Sequence, residues 1–143
     1  MRTFLPRRII AAGCVCLGVF ASGCDDSNTG ELDPELVHHR NRGKAHFENG
    51  ETAEAVVEFE TCLRLSGNDP IDRLNLAKAH FLAENYDRAI EGLETLAIER
   101  PNIADIPYNL GIIFKRLGAS EKAVIQLERL VALERQRLGR RIE

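Results

Sequence analysis

From Glu35 onward, apolar residues recur at spacings of three and four, the stripe of an amphipathic helix, and no stretch alternates as a strand would. The pattern predicts helices over 35–48, 52–66, 70–83, 87–99, 104–117 and 120–138. Each break has a chemical cause. Asn49-Gly50 supplies a left-handed cap for the first helix. Ser66-Gly67-Asn68-Asp69-Pro70 ends the second and starts the third, with Asp69 as N-cap and Pro70 in the first helical position. Arg100-Pro101-Asn102 closes the fourth, Leu117-Gly118 closes the fifth, and Ser120 is expected to cap the sixth. Pro34 and Pro107 fall in first turns, where a missing N–H is tolerated. The intervening loops are short, so consecutive helices must run antiparallel. The expected class is all-α.

The polar and small positions carry a longer period. Gly43, Ala77 and Gly111 share one register, 34 residues apart; so do Ala55, Ala89 and Ala123, then Phe59, Leu93 and Leu127, then Asn41, Asn75 and Asn109. A fixed period of this length marks a solenoid, in which each unit buries its apolar face against its neighbours. The units span 36–69, 70–103 and 104–137 within a domain of 35–138. Small residues at 43, 77 and 111, and at 55, 89 and 123, let two helix backbones approach closely, where a larger side chain would overpack the contact.

This unit resembles the tetratricopeptide repeat. Leu76-Ala77 and Leu110-Gly111 carry its early pair, with Arg42-Gly43 in the first copy; His46, His80 and Phe114 fill its aromatic slot. Ala55-x3-Phe59 matches its second helix outright, Ala89-x3-Leu93 and Ala123-x3-Leu127 match in type, and Pro101 fills its proline slot. The resemblance implies a right-handed α-solenoid of three antiparallel helical hairpins, whose first helices line a concave groove. The family geometry assigns to that groove Val37, Arg40, Asn41, Lys44, Phe47 and Glu48, then Ile71, Leu74, Asn75, Lys78, Phe81 and Leu82, then Asp105, Tyr108, Asn109, Ile112, Lys115 and Arg116. Asn41, Asn75 and Asn109 would form a ladder of amides able to pair with an extended peptide backbone, or else to hold their own helices. Arg40, Lys44, Lys78, Lys115 and Arg116 outnumber Glu48 and Asp105, so the groove is expected to be positive and to favour an acidic segment. The acidic excess, including Glu54, Glu58, Asp87, Glu91 and Glu94, falls on second helices. Phe47, Phe81, Leu74 and Tyr108 are candidate apolar anchors.

Residues 1–23 read differently. Arg2, Arg7 and Arg8 precede an uncharged apolar run from Ile9 to Ala21, too short to span a hydrocarbon core of about 30 Å. Ala21-Ser22-Gly23-Cys24 resembles the lipobox of bacterial lipoproteins, with Ala21 where that family prefers Leu. The resemblance implies cleavage before Cys24, lipidation of Cys24, and anchoring in a bacterial envelope membrane, facing the periplasm or the exterior. Residues 24–34 are polar and turn-rich, a flexible tether. Asp25-Asp26 resembles an inner-membrane retention signal without deciding between inner and outer membrane. Of the four cysteines, Cys14 and Cys16 would leave with the signal and Cys24 would carry lipid. Cys62 then remains alone on an apolar stripe and is read as a small buried hydrophobe.

Charge and composition narrow the function further. The full chain has 19 basic and 22 acidic residues, and loss of the three signal arginines leaves the remainder near −6, which argues against nucleic acid. His38, His39, His46 and His80 show no metal-ligand spacing, with His46 and His80 expected in the core with hydrogen-bonded tips. No phosphate loop or nucleophile elbow occurs, so neither cofactor, metal nor enzyme activity is expected. The sixth helix carries Val124, Ile125, Leu127, Leu130, Val131, Leu133 and Leu138, a wider stripe than one neighbour can bury. Val124, Val131 and Leu138, seven apart, suit a helix–helix seam and hence a partner or a second copy. Residues 139–143 form a short basic tail. Two functions emerge: an envelope adaptor that binds a protein segment in its groove, or a structural subunit that assembles through its final helix.

Overall fold

The computed structural model describes residues 33–141. The lipobox with Cys24, most of the tether and residues 142–143 lie outside them. Among the described residues the chain forms α1 (Pro34–Asn49), α2 (Thr52–Leu65), α3 (Pro70–Leu82), α4 (Tyr86–Glu99), α5 (Asp105–Arg116) and α6 (Ser120–Gly139), with no strand. Each helix packs on the next in chain order, and α3 also touches α5. That is the contact pattern of three stacked hairpins, α1–α2, α3–α4 and α5–α6, in an all-α solenoid. Among the described residues no helix is long and apolar enough to cross a membrane.

The helix ends follow the local chemistry. Asp33 and Asp69 each turn a carboxylate oxygen onto the N–H two residues on, Glu35 at 2.9 Å and Ile71 at 2.8 Å, just ahead of Pro34 and Pro70. Gly50 and Gly118 adopt left-handed φ values of 78° and 74° at the turns of the first and third hairpins. The matching position of the second hairpin is Glu84, which takes φ 60° without being glycine. Its conformation carries the cost of a Cβ in the left-handed region, about 1–2 kcal/mol. Ser120 departs from its expected role: it is the first residue of α6, Ala119 precedes it, and no side chain caps that end.

Inside each hairpin the small residues sit where the helices approach. A Cβ added to Gly43 would lie 2.8 Å from Phe59 Cε1, and one added to Gly111 would lie 3.1 Å from Leu127 Cδ2. Ala55, Ala89 and Ala123 are buried opposite them. The core has two parts. The smaller joins Leu36, Ala55, Phe59, Cys62 and Ala79 between the first hairpin and α3. The larger runs through the second and third hairpins around Leu93, Leu96, Ile106, Leu110 and Ile113, all with at most 1% exposure. Burial pushes the Cys62 thiol up, with the nearby Asp72 charge adding to the effect, so the reactive thiolate is disfavoured.

Gly43→Ala is expected to destabilise the domain by about 1–3 kcal/mol, because the rigid Phe59 ring blocks the added methyl. Gly111→Ala should cost less, since Leu127 is 40% exposed and can turn away. Thermal unfolding of the two variants side by side measures the difference.

Candidate functional site

The first helices of the first two hairpins enclose a cleft of about 350 Å³. Arg40, Asn41, Lys44, Phe47 and Glu48 of α1 line it, together with Asn75 and Lys78 of α3, and Phe59 forms part of its wall. These are successive residues of one helical face on α1 and the corresponding face of α3, which the 34-residue phase brings side by side. Seven of the residues assigned to the groove therefore meet around one cavity. Phe81, Tyr108, Asn109, Lys115 and Arg116 do not line it; they lie toward the second and third hairpins.

The charge of this surface differs from expectation. Arg40 does not stand free: its Nε and Nη2 donate to the two carboxylate oxygens of Asp72, each at 2.7 Å, and Asp69 lies 3.6 Å away. Asp72 is fully buried, and its hydrogen bond raises the Arg40 pKa further above its ordinary value. Lys78 donates to Asp105 at 3.1 Å, and Lys44 lies 3.7 Å from Glu48 on its own helix. Most of the predicted positive groove is thus neutralised in place. Lys115 and Arg116 make no ion pair among the described residues; the Arg116 guanidinium lies 5.7 Å from the Phe81 ring centre. Phe81 packs against Tyr86 of its own hairpin and under Arg116 of the third, whereas Tyr108 is half exposed; Leu74, expected in the groove, is instead buried in the core between the second and third hairpins.

The asparagine ladder is uneven. Asn41 is exposed and Asn75 half-buried at the cleft. Asn109 is buried, and its Nδ2 donates to the carbonyl of Asp105 one turn earlier at 2.6 Å. That amide braces its own helix, so its donor is not presented to a ligand.

Two buried carboxylates escaped the sequence reading. Glu58, grouped above with the acids of the second helices, is buried between α1 and α2, with Oε2 2.6 Å from His39 Nδ1 and Oε1 2.9 Å from the Arg42 guanidinium. Burial works to raise its pKa, but the His39 hydrogen bond and the Arg42 charge together leave it below the ordinary value. Asp72 occupies the position that the third repeat fills with buried Ile106, and Arg40 the position that the second fills with Leu74. Comparing the repeats would have exposed both as charges in apolar slots.

The histidines separate as well. His46 is half-buried with Nδ1 2.5 Å from Glu51, whereas His80 is buried and its Nδ1 has no hydrogen-bond partner. Burial holds the His80 imidazole below its ordinary 6.5; the Arg88 charge adds to this and Glu60 opposes it. On α6 the outcome matches the stripe: Val124, Val131 and Leu138 are 53%, 48% and 55% exposed, and a shallow apolar depression runs along Val124, Leu127, Val131 and Ala132.

With this geometry in hand, residues 46–106 match the tetratricopeptide repeat family. The fold is a tetratricopeptide-repeat fold. Solved structures agree. The tetratricopeptide-repeat domain of Sgt2 from Aspergillus fumigatus is 20% identical, with a TM-score of 0.65 over 71% of this chain and 68% of that one. PcrH in complex with the chaperone-binding region of PopB is 19% identical, with a TM-score of 0.65 over 73% of this chain and 84% of that one. MamA is 22% identical, with a TM-score of 0.62 over 71% of this chain, which spans 60% of MamA. No curated protein matches the sequence.

Two outcomes test the site's electrostatics. Arg40→Leu alone leaves Asp72 buried without its partner and is expected to cost about 3–5 kcal/mol. Adding Asp72→Ile installs the Leu/Ile pair of the next repeat and should recover most of that loss in denaturant unfolding. For His80, the folded state disfavours the proton, so the unfolded chain binds more protons as the pH falls below 6.5. Stability is therefore expected to decline from that pH downward until His80 protonates in the folded state, and His80→Phe, which installs the residue of the third repeat, should remove this limb of the pH–stability curve.

Proposed function

We propose that this protein is an envelope adaptor that holds an extended segment of another polypeptide against the cleft between its first two repeats. The observation that carries the reading is the convergence of Asn41, Asn75, Lys44, Lys78 and Phe47 on one cavity of about 350 Å³. Two amides can exchange hydrogen bonds with peptide N–H and C=O groups, and Phe47 offers an apolar contact beside them. Lys44 lies at the rim, 73% exposed and only loosely tied to Glu48, so it can reach an acidic side chain of the bound segment. The PcrH structure, in complex with a region of PopB, supports capture of a polypeptide segment by this kind of fold. Cys24 is the proposed lipid anchor, with residues 25–34 as the tether and the domain facing the periplasm or the exterior.

The test is crosslinked capture of partners from membranes. Asn41→Ala with Asn75→Ala is expected to weaken capture about fivefold to tenfold per amide removed, at about 1 kcal/mol each. Undiminished capture by a folded double variant refutes the groove reading. Cys24→Ser should shift the protein from the membrane to the soluble fraction.

A second reading is favoured by α6, where Val124, Val131 and Leu138 stand about half exposed along one seam. Here the protein is a subunit that assembles through that helix while the cleft stays unused. Val131→Glu should then abolish self-association in sedimentation, and a wild-type mass that stays monomeric at high concentration removes this reading.

A further inference from the structure

A second cavity, of about 340 Å³, lies beside Gly92 on a different face of α3 from the cleft. Arg73, Leu76 and His80 of α3 line it with Arg88, Glu91 and Gly92 of α4. The first repeat shows what this position normally holds. Gly92 is the counterpart of Glu58, Arg73 of His39, and His80 of His46. In the first repeat the Glu58 carboxylate fills the space, 2.6 Å from His39, and His46 has a second carboxylate, Glu51, at 2.5 Å. In the second repeat both acids are gone: Gly92 replaces Glu58 and Asn85 replaces Glu51. The bases remain. In the third repeat Gln126 fills the slot and Phe114 replaces the histidine, and Lys122, the counterpart of Arg88, lies 5.4 Å from the Phe114 ring centre.

The second repeat thus keeps a basic pocket without its acid, and the molecule shows the consequence. His80 is 94% buried, and its Nδ1 meets no hydrogen-bond partner. A buried imidazole nitrogen left unpaired is costly, which makes it a ready donor or acceptor for an incoming group. Arg88, exposed at the cavity, makes no ion pair among the described residues. Arg73 is paired with Glu99; Glu91 is the carboxylate among the lining residues, exposed to solvent, and the charge of Glu60 on α2 also acts on His80. Space is available: a Cβ at position 92 would meet only the Ala77 methyl, at 3.6 Å.

We propose that the cavity beside Gly92 is a carboxylate-binding site. It takes an aliphatic acid, free or as the acidic side chain of a polypeptide, whose stem packs on Leu76 and whose carboxylate accepts from His80 Nδ1–H and Arg88. The site stands apart from the cleft, so its failure leaves the adaptor reading intact.

The experiment follows the His80 ring resonances of the full-length chain during titration with propionate, with N-acetylglutamate α-amide, and with propionamide as the uncharged control. Both acids are expected to shift His80 saturably, and to raise its titration midpoint by about one pH unit, while propionamide does neither. A response to propionate alone assigns the site to free acids, and a response to the blocked glutamate alone assigns it to polypeptide side chains. His80 resonances that neither acid moves, or that propionamide moves as far, overturn the proposal. Gly92→Glu provides an internal check, because it restores the acid of the first repeat. It should block both acids and raise the thermal midpoint above that of Gly92→Gln, which has similar helix propensity and volume. Equal midpoints for the two variants overturn it as well. If neither variant folds, the titrations of the unaltered chain decide alone.

Discussion

The contact on which the rest of this molecule depends is the close approach of the two helices within each hairpin. Its tightest point lies in the first hairpin, where Gly43 faces the Phe59 ring with no room for a methyl group. The three hairpins solve the same packing problem with matched pairs: Gly43 with Phe59, Ala77 with Leu93, and Gly111 with Leu127. Opposite the flat Phe59 ring only Gly fits, whereas opposite Leu the position holds Ala in the second hairpin and Gly in the third. Interiors packed at crystal-like density enforce this kind of reciprocity. Once the hairpins close, Ala55, Ala89 and Ala123 are buried, and the outer faces of adjacent hairpins are held at a distance that lets them stack.

Stacking is not uniform along the array. Between the second and third repeats, Leu74 and Ile106 are buried within one continuous apolar cluster. At the matching positions between the first and second repeats stand Arg40 and Asp72, a bidentate ion pair with its acid fully buried. The first hairpin is also internally polar, since Glu58 is held by His39 and Arg42. Ion pairs of this kind are demanding in geometry and strongly destabilising when half-broken, but contribute less than a well-packed apolar substitute. In a solenoid, where stability sums over units and their interfaces, the first interface therefore rests on paired charges and the second on apolar packing. The first is also the interface that carries the cleft.

The same pairings decide what the concave surface offers a ligand. Arg40 and Lys78 lean on Asp72 and Asp105, and Asn109 turns back onto its own helix. The surface that faces outward is therefore less positive and more amide-rich at the first two repeats than a tally of residue types implies. Lys115 and Arg116 lie farther along the array. On the other face, the loss of two acids around His80 leaves a hole where the first repeat is filled. Both features arise from departures between repeats rather than from the repeat itself.

The sequence by itself determined the elements and their phase. Every helix boundary agrees with the apolar stripe to within one or two residues, because Asp69-Pro70, Asn49-Gly50 and Leu117-Gly118 act through local backbone chemistry that needs no tertiary context. The small-residue registers and the exposed stripe on α6 were legible for a similar reason: periodicity fixes which side of a helix a residue occupies. Only the tertiary structure decided which charges are spent inside the protein. Glu58 was legible only as one acid of the second helices, Asp72 carried no signal within its own repeat, and Asn109 was open between a ligand and its own helix, because burial of a polar group depends on what a different helix places opposite it. Helix phase assigns a residue to a face, whereas the partner across the interface, 32 residues away for Arg40 and Asp72, determines whether that face meets water or a counter-charge.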